Sequence, residues 1–296
     1  MKAGHPVHTI PDEYSIGGFI MGKMMGPQET VELLQKGEGP HYDVLVSTYP
    51  RSGTAMIVEI AWLLMNDLNV EKAKAVSQVD RNLFLDLCSP DFKSVFGRPL
   101  HSDNFSLARS HLPYHMLEEH AKRETKIIVG YRNPKDSLVS LYHFYRMNRH
   151  LGNFAGTFDE FFELFKDKHL IYGDIIDHNL GWWNIRDRPN TMYVNYEDLA
   201  EEPAREVRRM AEFLSKEVSD EDVSKIVNWV SFGNMKDCKS TNYEECTHTD
   251  HNISPYMRKG TVGDWKNYLN DDQSKYIDEQ YEENCGPAGL KYRFEL

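Results

Sequence analysis

Residues 42–64 carry a change of hydrophobic pattern that few folds can accommodate. Residues 42–47 form a compact apolar run rich in Val and Leu, the pattern of a buried strand. Residues 55–64 form a longer, unbroken apolar run, which predicts a buried helix. Between them stands Thr48-Tyr49-Pro50-Arg51-Ser52-Gly53-Thr54. A strand, tight turn and helix in this order aim the turn's backbone N–H groups at a helix N-terminus, which is an anion site. Gly53 lets the backbone approach a ligand closely. Ser52 and Thr54 add hydroxyl donors, and Arg51 adds a planar cationic fork. The loop is suited to a phosphate or sulfate group. The same seven residues also suit a plain structural turn, and alone they leave both readings open.

The rest of the chain repeats the alternation. Residues 106–111 read as a short strand ended by Leu112-Pro113, and residues 126–131 as a buried strand. The latter runs into Arg132-Asn133-Pro134-Lys135-Asp136, where Pro134 suits a first helical turn. That helix continues through Leu138, Leu141, Tyr142 and Tyr145, and Thr157-Phe158-Asp159-Glu160 opens another with a capping box. Residues 191–196 form a third strand, and residues 197–214 an amphipathic helix. Residues 1–40 read as an N-terminal arm over the core. Residues 72–97 show no clean period. Residues 236–258, rich in Asn, Thr and Ser, read as a long loop, and loops of that length are usually functional or mobile. The alternation predicts one α/β domain over residues 1–296, a central parallel sheet flanked by helices. Ligands would then sit at the C-terminal ends of the strands, where Arg51, Arg132 and Tyr196 fall.

Charge narrows the function. The net charge of -12 lacks the basic footprint of a general nucleic-acid binder. A polyanionic ligand must therefore be met by a local basic cluster working against the overall field. Arg51, Arg132 with Ser140, and Arg258-Lys259-Gly260 supply such groups from three separate segments. The 4 cysteines are few and scattered, with no disulfide framework, which points to a reducing compartment. No apolar stretch reads as a signal peptide or membrane span, so a cytoplasmic protein without membrane partners is expected. Cys238, Cys246, His248 and His251 superficially suggest zinc, but their spacing fits no usual finger, and no metal is expected.

The motifs resemble those of the cytosolic sulfotransferase family, in that family's order, over about residues 40–296. Tyr49-Pro50-Arg51-Ser52-Gly53-Thr54 is similar to the family's phosphosulfate loop, a P-loop-like strand–loop–helix. Arg132-Asn133-Pro134-Lys135-Asp136 with Ser140 resembles its 3′-phosphate motif. Arg258-Lys259-Gly260-Thr261-Val262-Gly263-Asp264-Trp265-Lys266 resembles its C-terminal signature. Arg109-Ser110-His111-Leu112-Pro113 resembles the catalytic-histidine segment, and Tyr193-Val194-Asn195-Tyr196-Glu197-Asp198 another landmark. The resemblance implies 3′-phosphoadenosine 5′-phosphosulfate (PAPS) as sulfuryl donor, adenosine 3′,5′-bisphosphate as product, and a small-molecule acceptor. It implies His111 as general base, with Arg51 and Arg109 as catalytic cations. Arg51 and the backbone of Ser52, Gly53 and Thr54 would hold the 5′ group of the donor, and Ala55 and Met56 are further donor-binding positions. Arg132, Ser140, Arg258 and Lys259 would hold the 3′-phosphate, with Gly260 letting the backbone close over it; Tyr196 and Phe232 would neighbour adenine, and Val230 and Met257 are further donor-binding positions. Phe84, His111, Phe144, Tyr172 and Tyr243 would wall the acceptor pocket, over which residues 236–258 would lie. An aromatic, mostly apolar pocket suits a phenol, a steroid-like alcohol or an aryl amine.

The chain departs from the family pattern at several positions. Arg51 and Arg109 stand where lysines are usual, a planar fork in place of a point charge. Met56 replaces a tryptophan and Val230 a threonine, which removes a stacking face and a hydroxyl donor. In the segment after Trp265, Asn270, Asp271 and Lys275 replace the family's dimer residues, so the usual homodimer is in doubt. These departures motivate an alternative, a nucleotide- or small-molecule-binding protein of weak catalysis on the same fold. A nucleotide kinase would want Lys after the loop glycine, which is absent here.

Overall fold

The computed structural model describes residues 8–87 and 105–296. A small antiparallel hairpin, β1 (Glu13–Ile16) and β2 (Phe19–Gly22), precedes the main sheet. The main sheet has strands β3 (Val44–Thr48), β4 (Leu83–Phe84), β5 (Leu107–Ser110), β6 (Lys126–Tyr131) and β7 (Thr191–Asn195). Their spatial order is β4-β5-β3-β6-β7, and every pairing is parallel. This is the expected single α/β domain.

All of β3 is buried, as its continuous apolar run requires of a strand covered on both faces. Its side chains alternate between two cores. Val44 and Val46 pack with Ile57, Ile60, Ala61 and Leu64 of the helix Thr54–Met65. Leu45 packs on the other side with Leu138, Val139 and Leu141 of the helix Pro134–Met147. The long apolar run after the loop is helical for the same reason: its residues 57–64 are all buried.

Position in the sheet selects the site. β3 lies between β5 and β6, and the chain's path diverges on its two sides, so its C-terminal end is the topological switch point. The register levels the strand ends: Ser47 pairs with Ser110, Thr48 with Gly130, and Tyr131 with Asn195. Arg51, His111, Arg132 and Tyr196 leave these ends within three residues and converge on one edge.

Three sequence expectations need correction. Residues 197–214 are two helices, Tyr196–Glu201 and Pro203–Phe213, because Pro203 lacks the N–H that a continuous helix needs and instead starts a new one. The third strand stops at Asn195, whose side chain accepts from the Glu197 and Asp198 amides and turns Tyr196 into a helix. The periodless stretches hide short helices: Val70–Ala75 and Gln78–Arg81 in one, the end of Phe232–Asp237 and all of Lys239–Asn242 in the other. Helices of one to two turns are too short to show a period. The latter part of residues 72–97 lies outside the described residues. The N-terminal arm carries the hairpin and the helix Gln28–Gln35 over the core. Among the described residues, no helix is long and apolar enough to cross a membrane.

Candidate active site

A cavity of about 410 Å³ opens at the C-terminal edge of the sheet. It is lined by Arg51, Gly53, Thr54, Ala55, Met56, Arg132, Ser140, Tyr196, Val230, Phe232, Met257, Arg258, Lys259 and Gly260. The same cavity continues past Arg109 and His111 to Phe84, Phe144, Tyr172 and Tyr243. Every site residue read from the sequence therefore faces one space, apart from Ser52, which is buried behind the loop. The described lining carries five basic residues other than histidine and no carboxylate. That is the local basic cluster an acidic chain needs to hold a polyanion.

The loop is built on two left-handed residues. Arg51 has φ +68° and Gly53 φ +91°. At Gly53 a Cβ would stand 2.6 Å from Cδ2 of Tyr196, so glycine also admits this ring against the loop. Gly260 repeats the device on the far wall, where φ is +67° and a Cβ would stand 2.2 Å from Cδ2 of Phe232. Two aromatic rings thus lie close against two glycine backbones, one in each wall. Arg132 stacks its guanidinium 4.3 Å from the centre of the Tyr196 ring and donates to the carbonyls of Arg51 (3.4 Å) and Thr261 (3.1 Å). Arg258 and Lys259 both pair with Asp264, at 2.5 and 2.6 Å. Burial pushes the Asp264 carboxyl up, but hydrogen bonds from Lys259, Asn267 and Arg258 outweigh it and hold it at about 2.

Arg51 bridges the two halves of the cavity. Its Nε donates to Ser140 Oγ at 3.1 Å and its Nη2 to the Tyr256 carbonyl at 2.6 Å. The guanidinium lies 4.5 Å from the centre of the Tyr256 ring and 5.2 Å from that of Phe144. Burial lowers its pKa, and the neighbouring Arg132 and Arg258 act in the same direction. A charge held at this cost gains from an anion beside it.

His111 follows β5 directly. Its Nδ1 lies 2.8 Å from the carbonyl of Thr48. A carbonyl only accepts, so Nδ1 carries the proton and Nε2 keeps its lone pair. The ring stands edge-on between Phe84 and Tyr172, at centroid distances of 5.1 and 5.5 Å. Burial pushes its pKa down to about 3, opposed by the Thr48 bond and assisted by Arg109 and Arg51. The imidazole is neutral at physiological pH. Arg109, two residues earlier, is buried; its Nη1 donates to the Tyr243 hydroxyl at 2.5 Å, and its guanidinium stacks on Phe84.

Sequence reading missed two side chains. Tyr256 stacks on Tyr243 with 4.3 Å between ring centres and carries the carbonyl that Arg51 binds. Its signal was faint: it stands two residues before the Arg258 motif. Gln78 is buried, donates to the Ala55 carbonyl at 2.9 Å and accepts from the Tyr243 hydroxyl at 2.5 Å. Nothing in its own segment marks it. The suspected zinc set does not converge: Cys238 Sγ meets Ser240, His251 meets Thr249, and His248 stacks on His150. Among the described residues no group of three or more His, Cys, Asp or Glu could hold a metal ion.

Comparison with known proteins identifies the family and the fold. The family model "Sulfotransferase domain" matches residues 41–289. Sulfotransferase 1C2 of Rattus norvegicus is 37% identical over 257 residues, covering 86% of this chain and 86% of that one. A retinol dehydratase in complex with androsterone and the inactive cofactor PAP has TM-score 0.83 at 23% identity, over 94% of this chain and 90% of its own. Mouse sulfotransferase SULT7A1 complexed with PAP has TM-score 0.75 at 26% identity, over 94% and 96%. The matched family model spans all five strands of the main sheet, and the chain belongs to the sulfotransferase family.

Proposed function

We propose that this sulfotransferase takes the sulfuryl group of PAPS and passes it to a hydroxyl or amine of a small acceptor, with His111 as general base. The observation that carries the reading is the fixed His111 tautomer inside a cavity continuous from the anion loop to the aromatic chamber. Arg132 Nε and Arg258 Nε, on residues that line the cavity, are buried donors with no partner among the described residues. Donors left so need acceptor atoms from a ligand, and phosphate and sulfate oxygens supply them. The backbone of residues 52–54 and Arg51 would receive the 5′ phosphosulfate. Arg132, Ser140, Arg258 and Lys259 would receive the 3′-phosphate, with Tyr196 and Phe232 as ring surfaces for adenine.

Sulfuryl transfer resembles phosphoryl transfer in that positioning and electrostatics do most of the work. His111 Nε2 takes the acceptor proton as the new O–S or N–S bond forms. The bond from sulfur to the 5′-phosphate oxygen breaks, and its electron pair leaves with the phosphate, where Arg51 offsets the charge. A pKa of about 3 is low for such a base. The bound polyanion opposes it, because negative charge nearby favours the imidazolium. Phe84, Phe144, Tyr172 and Tyr243 favour an aromatic or apolar acceptor.

The test is purified protein with labelled PAPS and a panel of phenols, alcohols and amines, read as labelled product. Transfer to at least one aromatic hydroxyl or amine is expected. Tight binding of adenosine 3′,5′-bisphosphate with no transfer to any acceptor would overturn catalysis and leave a binding protein.

A further inference from the structure

Glu197 sits where the donor-site pieces meet, and none of the roles assigned so far uses it. It is fully buried. Its Oε1 accepts from the Asn133 amide N–H at 3.0 Å and from Asn133 Nδ2 at 2.8 Å, while its Oε2 has no partner among the described residues. Asn133 caps the helix Pro134–Met147: its Oδ1 accepts from the Asp136 amide at 2.8 Å, and its Nδ2 also reaches Asp136 Oδ2 at 2.9 Å. Asp136 in turn accepts from the Gly263 amide at 2.8 Å and the Trp265 amide at 3.0 Å. One chain of bonds therefore runs from Glu197 through the Arg132–Ser140 segment to the loop bearing Arg258 and Lys259. The residue before Glu197 is Tyr196, whose ring lies on Gly53 of the 5′ loop and under Arg132.

We propose that Glu197 is a positioning residue that sets the spacing between the 5′ loop and the 3′ anion pocket, and so confers selectivity for nucleotides bearing a 3′-phosphate. This rests on the donor reading above. Residues 196 and 197 are adjacent in one helical turn, so the two pockets share a single rigid reference point. Loss of Glu197 leaves the 5′ loop and its Tyr196 contact in place but frees Asn133, Asp136 and the 258–265 loop to shift. Burial raises the Glu197 carboxyl to about 7, opposed by its bonds to Asn133 and by Arg132. A glutamine can therefore replace it, keeping the Oε1 acceptor and placing its amide at the unpartnered position.

The experiment is calorimetry with adenosine 3′,5′-bisphosphate and with AMP, on wild type, Glu197→Ala and Glu197→Gln, with thermal melts of each. Glu197→Ala is expected to lose about tenfold or more in bisphosphate affinity, since it takes the acceptor from two buried Asn133 donors, and about threefold or less for AMP. Glu197→Gln is expected to keep the wild-type ratio within about threefold, at the lower edge of such an effect. A general loss of packing would weaken both nucleotides alike, and that result, or an unchanged ratio in Glu197→Ala, overturns the proposal. If Glu197→Ala does not fold, Asp136→Asn reads the same pin, because an asparagine amide cannot accept from both Gly263 and Trp265. An unchanged ratio there overturns it equally. Wild-type protein that binds neither nucleotide would instead refute the donor reading.

Discussion

Replacing Arg51 tests whether the loop does chemistry or only turns the chain. Arg51→Ala removes the bonds to Ser140 Oγ (3.1 Å) and the Tyr256 carbonyl (2.6 Å), together with two ring contacts. Hydrogen bonds from a charged donor contribute about 1.5–3 kcal/mol each, and a desolvated cation–ring contact about 0.5–2 kcal/mol. Only the part that grows as charge develops on the leaving phosphate reaches the rate. Removal of one preorganised donor at a developing charge typically costs about 10²–10³ in kcat. Arg51→Ala is expected in that range. Arg51→Lys keeps the charge at the same left-handed residue, but one ammonium cannot span Ser140 Oγ and the Tyr256 carbonyl while stacking flat on the ring. About a tenfold loss is expected, between the alanine variant and wild type. The assay is single-turnover transfer from labelled PAPS at saturating acceptor, beside calorimetry with the bisphosphate. Arg51→Ala with kcat within about threefold of wild type would refute the role, since the range above starts at about 10².

Tyr243→Phe removes the hydroxyl that accepts from Arg109 and donates to Gln78, and with it two buried hydrogen bonds. Acceptor KM should rise about tenfold with bisphosphate affinity unchanged, and equal losses in both would contradict it. Glu59 and Arg81 form an ion pair whose side chains are 0% and 2% exposed. Glu59→Ala should destabilise the fold by about 3–5 kcal/mol in urea titration, because it strands a buried guanidinium; a loss below about 1 kcal/mol, the value of an exposed pair, would contradict the burial. Acidification should also destabilise the protein. Burial lowers His111 to about 3 and His120, His143 and His178 to about 4, against 6.5 when unfolded. Between pH 6.5 and 4 the unfolded chain binds protons there that the folded chain refuses, so stability is lost as pH falls. Asp86 and Glu197, raised by burial to about 6 and 7, and Asp174, also raised by burial, act in the opposite direction but are fewer. Thermal melts should fall through that window, less steeply in His120→Gln; an equal slope would refute the histidine origin.

The cavity's residues were legible where function and local geometry coincide. Strand–turn–helix puts Arg51 and Gly53 in one turn, and a strand end followed by Pro134 puts Arg132 at a helix start, so pattern and chemistry pointed to the same positions. Their convergence follows from parallel register, which levels Ser47 with Ser110, Thr48 with Gly130 and Tyr131 with Asn195. Gln78 was not legible. Its role comes from contacts with Ala55 and Tyr243, 23 and 165 residues away in sequence, and a two-turn-or-shorter helix carries no period to draw attention. Tyr256 acts largely through its backbone carbonyl, which any residue possesses. The break at Pro203 was visible as a proline but was overridden by the amphipathic pattern on both sides of it. Glu197 reads as one more acidic residue on a helix until burial and the Asn133 bonds tie it to the segment that carries Arg132.

The most direct measurement is single-turnover transfer from labelled PAPS by wild type and His111→Ala, with bisphosphate affinity and melting temperature measured on the same preparations. The account predicts that the alanine variant folds, binds the bisphosphate within about threefold of wild type, and loses about 10²–10⁴ in the rate of transfer, the usual contribution of general-base catalysis. Undiminished turnover by His111→Ala would contradict it.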